Sequence, residues 1–125
     1  MNRILSIFGL EIRKLRLSRT SHRGALEHLH KQIDFSHVYD VGAARGQFSE
    51  VALSFWADAN YYLFEPLEEF SAPLERGFGQ NPQFKIVSLA LWSKVESVTL
   101  NVHRDLYGSS IYKEVEGSFV DGEPR

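Results

Sequence analysis

Val38-Tyr39-Asp40-Val41-Gly42-Ala43-Ala44-Arg45-Gly46-Gln47-Phe48-Ser49 decides how this chain is read. From His37 to Val41 it is a run of β-formers, and it stops abruptly at a glycine-bounded turn. Helical spacing follows without a linker, with Phe48, Val51, Ala52 and Phe55 on one apolar face. Asp58-Ala59-Asn60 ends that helix, and Tyr61-Tyr62-Leu63-Phe64 is a second strand. Strand, tight turn, helix and strand make a β-α-β unit.

Working downstream, Glu65-Pro66 closes the second strand, and Pro66 suits the first turn of a helix carrying Leu67, Phe70 and Leu74. Pro73 lacks a backbone donor, so a kink or a fresh start near Ser71 is predicted. After a loop at Gly77, Gly79, Asn81 and Pro82, residues Phe84 to Trp92 read as a third strand, and Ser97 to His103 alternate as a half-exposed fourth. The order predicts a mostly parallel sheet with helices on its faces, a three-layer α/β/α fold. Upstream, Ile4, Phe8, Ile12 and Leu15 recur at helical spacing, and Thr20 or Ser21 can cap a second helix through Ala25, Leu26, Leu29 and Ile33. The division is therefore basic amphipathic helices over 1–33 and one α/β domain over 34–125.

A composition of 43% hydrophobic and 24% charged residues suits an ordinary domain with one core. The net charge of -2 gives no reason to expect a nucleic-acid partner. Its distribution is uneven, because residues 1–33 hold seven Lys or Arg against Glu11 and Glu27. The first helix is expected to pack on the domain or on another subunit, with contact at an anionic membrane surface as the alternative. No apolar run reaches the roughly 18 residues of a membrane span, and no signal-peptide pattern is seen. The absence of Cys excludes disulfides and thiolate sites and fits a cytoplasmic protein. His28 and His30 point to different sides of a helix, so no metal site is expected.

A parallel sheet binds ligands at the carboxyl ends of its strands. Asp40 stands at one such end, just before Gly42 and Gly46, where missing side chains let a ligand approach the backbone and the next helix. Glu65 stands at the next, 25 residues on, near the spacing of an acid that grips two ribose hydroxyls. Acid, glycine turn and acid suggest a nucleoside site. The turn lacks the Gly-x-Gly-x-x-Gly of dinucleotide sites, and a pyrophosphate would be repelled by Asp40, whereas a sulfonium would be attracted.

The segment Val38 to Ser49, together with Phe64-Glu65-Pro66 and Leu89-Ala90-Leu91-Trp92-Ser93, resembles the FkbM family of S-adenosylmethionine-dependent methyltransferases over roughly Phe35 to Ser110. The resemblance implies a partial Rossmann-like, class I methyltransferase fold. It implies that Asp40, Gly42 and Gly46, with Ala44 between them, surround the methionine part of the cofactor. Glu65 would bind the ribose, and Ala90 would lie near the adenine. Two positions depart from the pattern: Ala44 stands where the family commonly has Asn, and Leu89 where many relatives carry Asp. Glu114-Val115-Glu116-Gly117 echoes a later family motif superficially.

The activity so implied is methyl transfer to a hydroxyl of a small molecule or carbohydrate. His37, His103 and Asp105 are candidate bases, and none is assigned. A non-catalytic fragment or interaction module and an NAD-linked oxidoreductase are the alternatives. A sheet of seven strands needs about 200 residues, so the chain reads as a front half, or as a subunit whose sheet edge a partner covers.

Overall fold

A computed structural model describes residues 21–112 and 123–124. The expected first helix and the Glu114–Gly117 echo lie outside the described residues. The elements are α1 (His22–His30), β1 (His37–Val41), α2 (Gln47–Leu53), β2 (Asn60–Phe64), α3 (Glu68–Phe78), β3 (Phe84–Val87), β4 (Asn101–Val102) and β5 (Glu123–Pro124).

β1, β2 and β3 form a parallel sheet in that order, with Asp40 opposite Leu63 and Leu63 opposite Ile86. Side chains alternate across a strand, so Val38, Asp40, Tyr61, Leu63, Phe84 and Ile86 share one face. That face carries the core. Leu26 of α1, Ala52 of α2 and Leu74 of α3 pack there in one cluster with Tyr61 and Leu63. Tyr61, Leu63 and Leu74 are fully buried, each contributing about 1.5–3 kcal/mol.

The described residues thus form two layers where three were expected. Both crossovers step the same way across the sheet, and right-handed connections then place both helices on one side. Leu26 brings α1 to the same side. On the other face Tyr39 and Val41 are 61% and 59% exposed, and Tyr39 stacks on Tyr62 at 5.0 Å.

Local chemistry sets the element ends. Ser21 caps α1, its hydroxyl accepting from the Gly24 amide at 3.1 Å. Ile33 falls beyond the helix, and its carbonyl accepts from the Trp56 indole at 3.1 Å. In α2 it is Ser49 and Ala52 that turn inward, while Phe48 is exposed, the reverse of the expected role for Phe48. α3 starts at Glu68 rather than Pro66, because the Glu65 carboxylate accepts from the Leu67 amide and closes a tight turn first. Pro73 sits within α3 without interrupting it. The lost donor weakens one turn, but Phe70 and Leu74 on either side are buried, which offsets it.

Two strand expectations are corrected. β3 ends at Val87, and Ser88–Trp92 is irregular, because β2 ends at Phe64 and offers nothing further to pair with. Of Ser97–His103 only Asn101 and Val102 form a strand; it lies outside the parallel sheet and pairs antiparallel with β5. A second cluster of Leu67, Phe70 and Val102, with Ala44, Leu100 and Leu106 against it, fastens this segment over the start of α3.

Candidate functional site

The turn between β1 and α2 is built from backbone. The amides of Gly42 and Ala43 donate to the Phe64 carbonyl at 2.9 and 3.1 Å, tying the turn to the end of β2. Three of its residues have positive φ: Gly42 at 77°, Ala44 at 47° and Gly46 at 76°. Ala44 is a non-glycine in a region that L-residues avoid, and something must hold it there. Glu65 does so, its Oε2 accepting from the Ala44 amide at 2.8 Å while Oε1 accepts from Leu67 at 2.9 Å.

Glu65 is 6% exposed and fixed at both oxygens. A carboxylate has about four acceptor positions, so each oxygen keeps one. Beside it opens a cleft of about 370 Å³, within the roughly 300–1,000 Å³ typical of small-molecule sites. Gly42, Ala44, Glu65 and Ala90 all line this cleft. A Cβ placed on Gly42 would meet no atom within 4 Å, so the glycine leaves open space on its side.

Asp40 and Gly46 do not line the cleft. Strand alternation puts Asp40 on the helix-covered face, where it is 7% exposed and accepts from the Ser49 hydroxyl at 2.7 Å. The two acids therefore brace one turn, Glu65 from the cleft side and Asp40 from beneath, through the start of α2. Gly46 makes room for α3: a Cβ there would overlap the Phe78 ring edge and come within 3.2 Å of Leu74 Cδ2.

The remaining walls are apolar and aromatic. Phe64, Phe70, Trp92, Leu106, Tyr107 and Tyr112 line the cleft, with Tyr107 packed on Phe70 at 5.5 Å and Trp92 edge-on to Tyr112 at 6.1 Å. Sequence reading missed this wall. The one signal in the sequence is the apolar run Leu89-Ala90-Leu91-Trp92, which reads as strand because a buried strand and a ligand-facing loop are equally apolar.

His37, His103 and Asp105 do not line the cleft either. Asp105 is paired with the His103 ring in an exposed turn. Its carboxyl lies below the ordinary range: desolvation pushes it up, and hydrogen bonds from Gly108, His103 and Tyr107 together with the His103 charge outweigh that. Tyr61 is pushed up to about 12 by burial. Glu65 is the only Asp, Glu, His, Lys or Arg among the described residues lining the cleft. Among the described residues no group of three or more His, Asp or Glu is placed to hold a metal, and no helix is long and apolar enough to cross a membrane.

No protein-family model, curated protein or solved structure matches the chain.

Proposed function

We propose that the chain binds S-adenosylmethionine in the cleft beside Glu65 and serves methyl transfer to a hydroxyl of a small-molecule or carbohydrate acceptor. The observation carrying this reading is the doubly anchored Glu65 carboxylate, with one acceptor position left on each oxygen. Two such positions on a rigid group match the two hydroxyls of a ribose. Hydrogen bonds to a charged group contribute about 1.5–3 kcal/mol each, and fixing the carboxylate beforehand lowers the ordering cost.

The other residues fit the cofactor in kind. Ala90 and Leu89 give an uncharged wall for adenine, and open space at Gly42 suits the methionine part. Asp40 acts at one remove, holding α2 through Ser49. When bound, the cofactor would supply an electrophilic methyl group on its sulfonium. The chain's own part is to grip the ribose with Glu65, orient the nucleoside on the turn and exclude water with Phe70, Trp92 and Leu106. An adjoining recess of about 540 Å³ shares Pro66, Leu67, Leu89, Ala90 and Leu100 with the cleft and offers the acceptor a way in.

A second reading, binding without catalysis, is favoured by the lining: among the described residues no His, Lys or Arg stands in the cleft to move a proton. Calorimetric titration with S-adenosylhomocysteine and with NADH tests the assignment. Saturable heat with the first alone supports it. Heat with NADH alone, or with neither, overturns it.

A further inference from the structure

At the amino ends of the parallel strands, far from Glu65, lies a recess of about 500 Å³. His30, Asp34, Phe35, Phe55, Trp56 and Asp58 line it. Its rings are inclined to one another rather than stacked: Phe35 to Trp56 at 4.9 Å and 58°, Phe55 to Trp56 at 6.0 Å and 59°, and His30 to Trp56 at 5.6 Å and 84°. Inclined rings form the sides of a corner. Trp56, 3% exposed and held by its bond to the Ile33 carbonyl, is the floor.

Two carboxylates line this corner. Asp34 and Asp58 are exposed, and neither makes a hydrogen bond or ion pair among the described residues. No Lys or Arg is among the described residues that line the recess. The aromatic cluster already receives a cation on its flank, where the Arg23 guanidinium sits 5.4 Å from the Phe55 ring centre. Ring faces and carboxylates both attract positive charge. A compact, strongly hydrated metal ion would need several converging oxygen ligands, and two carboxylates among rings do not supply them. A weakly hydrated organic cation loses little on entering such walls.

We propose that this recess binds a small quaternary ammonium compound, its methyl groups against Phe35, Phe55 and Trp56 and its charge facing Asp34 and Asp58. The site is independent of the cofactor cleft and stands or falls without it.

The test titrates choline chloride against 3,3-dimethylbutan-1-ol, its uncharged isostere, following the Trp56 indole N–H by NMR, with Trp92→Phe assigning the two indole signals. Ionic strength is matched with sodium chloride. Saturable movement of the Trp56 signal is expected with choline, at an affinity about tenfold above the neutral compound, the size of one partly desolvated cation–π contact. The double variant Asp34→Asn/Asp58→Asn, both positions being exposed, should bind choline several-fold more weakly with an unchanged far-UV spectrum. No saturable movement, equal affinity for the two compounds, or undiminished binding in the double variant would each overturn the proposal.

Discussion

Gly42 and Gly46 bound the same turn and share nearly the same φ, yet replacing each with Ala should have different consequences. At either position an L-residue costs about 1–2 kcal/mol for the left-handed conformation. At Gly42 that is the whole cost, since nothing lies within 4 Å of the added carbon. At Gly46 the methyl group overlaps Phe78 and comes 2.8 Å from its Cζ. Phe78 has little freedom to move, being stacked on Phe84 at 4.7 Å. Overpacking of this kind costs about 1–3 kcal/mol, so Gly46→Ala should lose roughly 2–5 kcal/mol in all. Against a total stability of about 5–15 kcal/mol, the difference between the two variants is readily measured by urea unfolding followed by tryptophan fluorescence. Gly42→Ala should instead weaken binding of the proposed cofactor, because Gly42 lines the cleft and its new methyl group would enter it. Stability losses that agree within about 0.5 kcal/mol, the scatter expected of independent sites, would refute the assignment of Gly46 to packing and Gly42 to binding.

Ser49→Ala removes the hydroxyl that donates to buried Asp40 and should cost about 1–3 kcal/mol in the same unfolding assay. Tyr61 should give an alkaline signature: its folded value of about 12 lies above the ordinary 10.0. Its contribution is complete below pH 10.0 and is lost between 10.0 and about 12, because the unfolded chain gives up a proton there that the folded chain keeps. The slope should be about 1.4 kcal/mol per pH unit, and Tyr61→Phe should remove it.

The strands β1 and β2 were legible because each is a short run of β-formers closed by residues that cannot continue it, Gly42 and Pro66. Their position in the sheet then followed from connection rules. What failed shared one cause. Leu89–Trp92 and Ser97–Val102 have strand-like patterns, but a strand needs a partner, and the partner is fixed by distant pairing that a local pattern does not carry. Pro73 was misjudged in the same way, since burial of Phe70 and Leu74 outweighs one missing donor. In the site, Glu65 and Gly42 stand out from their places at strand ends, whereas Ala44 and Ala90 come only from the family resemblance; all four line the cleft. Asp40 was expected in the cleft because it lies next to the turn in sequence. Strand alternation placed it on the other side of that turn, and the decisive partner, Ser49, gave no separate signal.

Glu65 holds the turn, and its proposed second task is to grip two ribose hydroxyls. Calorimetric titration of S-adenosylhomocysteine and its 2′-deoxy counterpart, against the unaltered chain and Glu65→Gln, addresses it directly. Gln keeps the chain's shape but only one acceptor oxygen, so one backbone amide of the turn, Ala44 or Leu67, loses its partner, and a circular dichroism spectrum checks folding. Loss of either the ligand hydroxyl or the carboxylate should weaken binding about tenfold, and losing both should add little. Equal affinity for the two ligands in the unaltered chain, or for the two proteins, would contradict it.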